Sequence, residues 1–256
     1  MIKKYLVCRF SASIFIIAVA VVTLCSATLT PRQMRDKAQR FYDHEEWPNA
    51  LAMYHLILQD DSTDLQAYGR VIAIYSLLER DDNLPPLFEQ SQQCRVAIDS
   101  LRSEVKTSAF EIGHPQAYER FLLVLKESEP WMRRNINLHL ARYYDSRNSA
   151  EKMVEIADTL LAVNPGDPES LHIKARGKML LSDYISAIDI YKHIVTLSPD
   201  DVDAMLNVGV YYLSEVEHRG LELSSHEAVE ARRYLNMAYA VKPTAHLRAL
   251  LQRLAL

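Results

Sequence analysis

One order of side-chain shapes recurs along this 256-residue chain at a nearly constant spacing. The segment SAIDIYKHIVTLSPDD, residues 186–201, has a small, an aromatic, an aliphatic and a helix-ending residue in the order Ala187, Tyr191, Ile194 and Pro199. Similar sets precede Pro165 and, beyond an insertion, Pro243. Laid end to end, the units begin near residues 31, 65, 99, 134, 168 and 202, in steps of 34, 34, 35, 34 and 34. This register predicts stacked copies of one small structural unit.

Each copy has the composition of a helix that is not stable alone. A helix of about a dozen residues is marginal in water, whereas a neighbour that covers its apolar side stabilises it. In the unit above, Ala187 allows two helices of a hairpin to approach closely, while Tyr191 and Ile194 fill the space against the next hairpin. Pro199 ends the helix, and the two aspartates that follow it are available to cap the next helix. With six glycines in the whole chain and no period-two alternation, strands are not expected.

The repeat resembles that of the tetratricopeptide repeat (TPR) family, a 34-residue helix–turn–helix with a W-x2-L-G-x2-Y, A-x3-F, P pattern. The best copies of its two halves are Met205, Val208, Gly209 and Tyr212, and Ala187, Tyr191 and Pro199. The resemblance covers residues 31–245 and implies an all-α, right-handed superhelical solenoid of about five to six antiparallel helix hairpins. It is weakest at about residues 80–130, where Leu84 and then Tyr118 replace the alanine of the second helix, and it is interrupted by an insertion at about residues 213–225. Residues 244–256 are predicted to form a capping helix.

The first residues have the pattern of an export signal. A basic start, MIKK with Arg9, precedes the short apolar run IFIIAVAVV and the small residues of LCSATLTP. Cys25 and Ala27 fit a small-x-small cleavage site, which predicts a signal peptide over residues 1–27 and a mature repeat domain over residues 28–256. The alternative is an uncleaved anchor over residues 10–29. We therefore expect an exported protein, most simply periplasmic, or one anchored in the inner membrane and facing the periplasm.

Charge and cysteine content exclude some classes of protein. Loss of Lys3, Lys4 and Arg9 with the signal leaves 26 basic residues against 33 acidic ones, a net charge of −7. Such a chain lacks the basic surface of a nucleic-acid-binding protein. Only Cys94 remains outside the signal, so the fold cannot depend on an internal disulfide. Cys94 is interpreted as a small buried hydrophobe, with a reactive or intermolecular thiol as the alternative.

The sequence has no recognisable catalytic or cofactor-binding motif. It lacks G-x-S-x-G, a glycine-rich phosphate loop and H-E-x-x-H; HEAVEARR from His226 has Glu230 in place of the second histidine. No enzyme activity, cofactor or metal is therefore predicted. An alternative, a metal site or envelope enzyme, would use the histidines and carboxylates of the insertion: Glu215, Glu217, His218, Glu222, His226 and Glu227. A solvated, charged helix extension and loop explains the same residues.

The TPR resemblance implies a partner-binding groove lined by the first helix of each unit. Its lining here would include Arg142, Asp145, His172, Arg176, Met179, Asn207, Val210 and Tyr211 or Leu213. Five of these are our candidate partner-binding residues: Arg142, His172, Arg176, Asn207 and Tyr211. Some family members hold a C-terminal carboxylate in this groove with lysines, an arginine and asparagines. Asn207 matches one such asparagine, but the remaining clamp positions differ, with His172, Arg176, Leu247 and Leu251.

Two of these assignments have alternatives. Arg142 and Arg176 would equally well pair with neighbouring acids. Tyr143 and Tyr211 each precede a tyrosine of the packing pattern and could turn toward the groove as recognition anchors. The function predicted from these residues is an exported TPR scaffold that binds a protein or peptide in the cell envelope. The alternatives are the enzyme or metal-binding protein above, and a self-assembling structural protein.

Overall fold

The computed structural model describes residues 29–255, which contain thirteen α-helices, two 3-10 turns and no strand. The first six helices are α1 (Pro31–Asp43), α2 (Trp47–Asp60), α3 (Leu65–Leu77), α4 (Leu84–Gln93), α5 (Ile98–Glu111) and α6 (Gln116–Ser128). The others are α7 (Arg133–Ser146), α8 (Ala150–Val163), α9 (Pro168–Leu180), α10 (Tyr184–Leu197), α11 (Val202–Arg219), α12 (His226–Val241) and α13 (Ala245–Gln252). The predicted all-α helical repeat fold is confirmed. The predicted export signal lies outside the described residues.

Backbone geometry repeats with the same period as the sequence. The helices form six hairpins; we call α1, α3, α5, α7, α9 and α11 the first helices and α2, α4, α6, α8, α10 and α12 the second helices. In five successive hairpins, one turn residue has a positive φ between 52° and 73°; these are Glu45, Glu79, Gly113, Asn148 and Ser182. They are 34, 34, 35 and 34 residues apart. Of these five residues only Gly113 is a glycine, which lacks the Cβ atom that disfavours this left-handed conformation.

Because the left-handed conformation disfavours a Cβ atom, glycine at Ser182 is expected to stabilise the protein. Ser182 has φ 60° and is exposed, so the substitution removes backbone strain without removing packing. We expect Ser182→Gly to raise the free energy of unfolding by about 0.5–1 kcal/mol, the strain relief less the entropy of glycine in the unfolded chain. Urea denaturation followed by circular dichroism measures the change. The control is Ser224→Gly, an exposed loop serine without a positive φ, which should give no gain.

The helices divide into two compact units, an N-terminal unit that ends at Arg133 and a C-terminal unit from Arg134. In the N-terminal unit α3 is the central helix: α2, α4, α5 and α6 all pack against it. Every residue from 67 to 76 is buried, so this helix has no solvent-facing side along those turns. Packing against α5 is especially close at Gly69, where an added Cβ would lie 2.4 Å from Cγ of Glu104.

A buried aromatic and ionic cluster joins α1, α2, α3 and α5 in the N-terminal unit. Tyr42 is 1% exposed, and its ring makes edge contacts with Trp47 and Tyr54 at centroid distances of 5.8 and 6.0 Å. The guanidinium of Arg70 lies 4.2 Å from the centroid of the same ring, and Nη2 of Arg70 pairs with the Glu111 carboxylate at 2.6 Å. The Tyr42 hydroxyl donates to a backbone carbonyl of α5 at 2.8 Å. One side chain thus fixes three other helices relative to α1.

In the C-terminal unit each helix from α8 to α13 packs against the next one in sequence. Glycines allow the closest approaches. An added Cβ would lie 2.8 Å from Val154 at Gly177, and 2.7 Å from Cγ of Leu235 at Gly209. The core residues of the sequence pattern, among them Ala187, are buried. The helix pairs are therefore as tightly packed as the alanine and glycine positions predict.

The insertion and the C-terminal segment are ordered parts of the C-terminal unit. Within residues 213–225, α11 continues to Arg219, and Gly220 ends it in a left-handed conformation before a short loop. Arg232 of α12 donates to the backbone carbonyls of Leu223, at 2.7 Å, and Leu254, at 3.2 Å, and so joins this loop to the end of the chain. Leu247 and Leu250 of α13 are buried in the core of the unit. Over the described residues, no helix combines the length and the apolar composition needed to cross a membrane.

Candidate functional site

Neighbouring first helices are linked by an aspartate that caps one helix and contacts a basic side chain, Arg or His, of the previous one. Asp201 accepts from the α11 backbone N–H of Ala204 at 2.8 Å with one oxygen, and contacts Nε2 of His172 on α9 at 2.7 Å with the other. In the N-terminal unit Asp64 does the same, accepting from the backbone of α3 and from Nη1 of Arg35 on α1. In both pairs the arginine or histidine precedes the aspartate by 29 residues.

The α7–α9 pair uses a variant of this contact. Asp167 caps α9 through the backbone N–H of Ser170, and Arg134 at the start of α7 donates to it at 3.1 Å. At the position 29 residues before Asp167 stands Leu138, so the cation comes from one turn earlier. Burial acts to raise the pKa of Asp167, but the hydrogen bonds from Ser170 and Arg134 outweigh it and the pKa lies below its usual value. Each of the three contacts fixes the register of the two first helices that it joins within its own unit.

Two candidate arginines lie on the exposed face of the same helices. Arg142 of α7 donates to Glu169 of α9 at 3.2 Å, and Nε of Arg176 on α9 donates to Asp145 of α7 at 2.6 Å. Their side chains remain 66% and 60% exposed. The predicted pairing with neighbouring acids is therefore present, and both arginines also face solvent.

The other candidate residues lie along α9 and α11. His172 is 30% exposed and packs against Tyr191 as well as Asp201. The side-chain amide of Asn207 donates to the backbone carbonyl of Asp203 at 2.8 Å. Tyr211 is half-buried, with its ring edge-on to Tyr212 at 5.4 Å, and burial raises its pKa. Beside it, Val210 is 39% exposed.

Tyr143 differs from its predicted role. Its side chain is only 7% exposed, and its ring packs edge-on against Tyr144 at 5.6 Å. A ring placed in this way contributes to the core of the hairpin. Of the two tyrosines considered as recognition anchors, only Tyr211 retains an accessible surface.

Asp201 gives a stability test of the link between first helices. Burial acts to raise its pKa, but hydrogen bonds from His172 and the α11 backbone outweigh this, and the pKa is lowered. We expect Asp201→Ala to reduce the free energy of unfolding by about 1–2 kcal/mol at pH 7, because the cap and the His172 contact are both lost. Asp201→Asn keeps a capping acceptor and should lose about half as much or less.

The sign of the pH dependence follows from the lowered pKa. The carboxylate stabilises the folded state above the pKa of an unfolded aspartate, about 4. That contribution is lost as the pH falls through the lower folded-state pKa. Denaturation series at pH 3 and pH 7 should therefore show a smaller difference between wild type and Asp201→Asn at pH 3. An unchanged difference would mean that the charge of Asp201 has no part in the link.

The charged residues of the insertion are mostly paired with arginines. Glu215 and Glu227 both pair with Arg219, at 3.5 and 3.0 Å, and Glu217 pairs with Arg253. The ring of His226 packs against Tyr212. Within residues 29–255 no group of three or more histidine, cysteine, aspartate or glutamate side chains has the arrangement of a metal site. The described residues therefore contain no arrangement of ligands that would support the alternative metal-binding function.

The N-terminal unit contains a small polar pocket that the sequence analysis did not predict. It has a volume of about 200 Å³ and lies between α1, α2 and α3. Its lining comprises Arg35, Asp36, Gln39, Tyr54, Ile57, Asp64, Gln66 and Ala67. The 29-residue spacing from Arg35 to Asp64 and from His172 to Asp201 is the sequence signal that points to both places. Cys94, at the end of α4, is free and half-buried.

Comparison with known proteins gives structural neighbours and no sequence relative. No protein-family model matches the chain, and no curated protein matches it. YrrB, described as a TPR protein with an unusual peptide-binding site, superposes with a TM-score of 0.46 and 11% identity, over 78% of this chain and 97% of that one. MamA gives a TM-score of 0.43 and 12% identity, over 80% and 94% of the two chains. The TPR2AB domain of yeast Sti1 in a pHSP90 complex gives 0.37 and 12%, over 88% and 98%. These structural neighbours are TPR proteins.

Proposed function

We propose that this protein is an exported scaffold without a reaction of its own, which binds another polypeptide on the exposed faces of α7, α9 and α11. We call this surface the first-helix face. The observation that supports it most is the pair of exposed arginines, Arg142 and Arg176, on adjacent helices that their own ion pairs hold together. A guanidinium has five N–H donors. Arg142 and Arg176 each direct one of these donors to a neighbouring carboxylate. Most of their donors therefore remain available to a ligand.

The chemistry of the face indicates a partner segment of mixed character. Arg134, Arg142 and Arg176 are paired with Asp145, Asp167 and Glu169, so the surface offers both signs of charge. Exposed Val210 and half-buried Tyr211 add an apolar patch on α11. A polypeptide that presents carboxylates to the arginines and an apolar side chain to this patch satisfies both features. Because the ion pairs already order the face, little conformational entropy is lost on binding.

A matched pair of variants tests the first-helix face. Arg142→Gln with Arg176→Gln removes two cations and leaves shorter, polar side chains that can still form hydrogen bonds. The control, Arg147→Gln with Arg233→Gln, removes two exposed cations from a hairpin turn and a second helix. Tagged wild type and both variants are used to retain proteins from crosslinked cells, with quantification by mass spectrometry. We expect at least a tenfold loss of one defined partner with the first variant and none with the control.

Equal retention by all three proteins would place the contact elsewhere. Circular dichroism of both variants should match wild type, since the substituted side chains are exposed. Light scattering of the purified protein separates this proposal from self-assembly: a concentration-independent monomer supports a different polypeptide as partner.

The place of binding in the cell envelope rests on the N-terminal sequence pattern. Intact mass of the protein purified from its native cells should correspond to a chain that starts at Thr28, since cleavage is predicted after Ala27. Retention of residues 1–27 would favour the membrane-anchored form. A cytosolic full-length protein would contradict export and leave the first-helix face unaffected as a binding surface.

A further inference from the structure

A second surface of the N-terminal unit has a shape and charge of its own. A trough of about 540 Å³ lies between the 3-10 turn Asp81–Asn83 with the first turn of α4 and one side of α6. Its lining comprises Asp81, Asp82, Pro85, Arg120, Leu123, Val124, Glu127 and Ser128. These residues belong to the second helices α4 and α6 and to the 3-10 turn before α4. We call this surface the α6 trough, and it shares no residue with the first-helix face.

One side of α6 is buried in the core, and a different side of the same helix lines the α6 trough. Phe121, Leu122 and Leu125 of α6 are completely buried in the core. Arg120, Leu123, Val124 and Glu127 follow the spacing i, i+3, i+4 and i+7, which places them together on one different side of the helix. Leu123, a large apolar residue, is 38% exposed. Two apolar side chains with a charged residue at either end thus form one wall of the trough.

An ion pair fixes the width of the trough. Arg120 donates to both carboxylate oxygens of Asp81, at 2.7 and 2.9 Å, and lies 3.5 Å from Glu79. This bidentate contact joins the turn before α4 to α6, and it neutralises the cation. The hydrogen bonds to Asp81 raise the pKa of Arg120, so its charge is permanent.

The acids that remain give the trough a negative rim. Asp82 is exposed, and Glu127 is 71% exposed with its nearest cation, Arg133, at 4.0 Å. Glu79, at 74% exposure, shares Arg120 with Asp81. Pro85, Leu123 and Val124 form the apolar surface of the trough, which we call its floor. Around this floor, carboxylates outnumber cations. A ligand with the complementary pattern has apolar side chains flanked by positive charges.

We propose that the α6 trough is a docking site for a basic amphipathic segment of another polypeptide, with leucine-like side chains on the floor and lysine or arginine at the rim. The volume accommodates two or three large aliphatic side chains. The fixed Arg120–Asp81 contact means that the site is formed before the ligand arrives. Carboxylates at the rim favour association with cationic segments and disfavour acidic ones. This site shares no residue with the first-helix face, and its proposed ligand differs in charge from the carboxylates proposed to meet Arg142 and Arg176.

A defined peptide tests the α6 trough. The probe is a 15-residue peptide, acetylated and amidated at its ends, with leucines at helical spacing and lysines elsewhere; its counterpart has glutamates in place of the lysines. Fluorescence anisotropy measures binding to the full protein. We expect the lysine peptide to bind and the glutamate peptide not to. Asp82→Asn with Glu127→Gln should weaken binding at least tenfold, as should Leu123→Ser, whose side chain is already partly exposed.

Matched controls separate the trough from general electrostatic attraction. Glu45→Gln with Asp60→Asn makes the same change in net charge on α2 and the turn before it, and should leave binding unchanged. Arg142→Gln with Arg176→Gln should also leave peptide binding unchanged. The proposals for the α6 trough and for the first-helix face can therefore fail independently of each other. Absence of binding by wild type at millimolar peptide, or equal weakening in the α2 control, would overturn the proposal.

Discussion

Replacing Tyr42 by alanine is expected to lower the free energy of unfolding by about 4 kcal/mol, in the range for removal of a large aromatic side chain from a core. The ring is 1% exposed and contacts Trp47, Tyr54 and the guanidinium of Arg70. Truncation leaves a cavity where α1, α2, α3 and α5 meet, and it uncovers a cation whose Nε and Nη1 already lack a hydrogen-bond partner. Urea denaturation monitored by circular dichroism measures the loss.

Tyr42→Phe separates packing from hydrogen bonding. It keeps the ring and its contacts but removes the hydroxyl that donates to the Ser108 carbonyl at 2.8 Å. Only about 1 kcal/mol should be lost, the usual net value of one hydrogen bond. If Tyr42→Ala costs no more than Tyr42→Phe, the ring does not hold α1, α2, α3 and α5 together as described.

Gly209→Ala is expected to destabilise the protein by about 2 kcal/mol, although alanine is the better helix former by about 1 kcal/mol. The added Cβ would lie 2.7 Å from Cγ of Leu235 and 3.3 Å from its backbone nitrogen. Leu235 is completely buried, so it has no open space into which to move. The two helices must separate or distort, and overpacking of this kind costs about 1–3 kcal/mol beyond the propensity gain.

A double-mutant cycle tests the cause of this loss. Leu235→Ala alone should cost about 2–5 kcal/mol as a core truncation. In the Leu235→Ala background, Gly209→Ala should become neutral or favourable, because the colliding side chain is gone. The coupling between the two sites is therefore expected to be large. Additive effects would mean that α11 and α12 do not approach each other most closely at Gly209.

The sequence predicted the hairpins well where small residues determine the helix separation. Ala187, Ala231 and Gly209 lie at contacts between helices, and their small size is visible in the sequence alone. The left-handed turn residues recur with the same period, but the sequence did not predict them, since four of the five are not glycine. A left-handed turn residue that is not glycine cannot be recognised from its residue type. Its backbone strain is offset by the packing of the helices on either side of the turn.

The N-terminal unit could not be predicted in the same detail. Its second helices have Leu84 and Tyr118 at the alanine positions, and both side chains are buried. Larger residues at these contacts change which helices meet, and α3 packs against α5 and α6 as well as α4. Periodicity identifies the face that a helix buries, but the choice among several apolar neighbours depends on side-chain volume in three dimensions.

The candidate sites differ in how far the sequence reveals them. Arg142 and Arg176 were identified from their positions in first helices, and only the structure shows that each is both paired and exposed. Tyr143 and Tyr211 have the same sequence context but different exposure, because the neighbouring helices differ. The α6 trough depends on a contact between Arg120 and Asp81, 39 residues apart, which no local pattern encodes.

Site-specific photocrosslinking tests the first-helix face most directly. The photoreactive residue p-benzoylphenylalanine replaces Arg142, Arg176 or Asn207 on first helices, or exposed Glu155, Asp189 or Arg233 on second helices of the same unit. Irradiation of living cells should join one and the same polypeptide to all three first-helix positions and to none of the second-helix positions. Capture of that polypeptide from the second-helix positions, with none from the first-helix positions, would contradict the account.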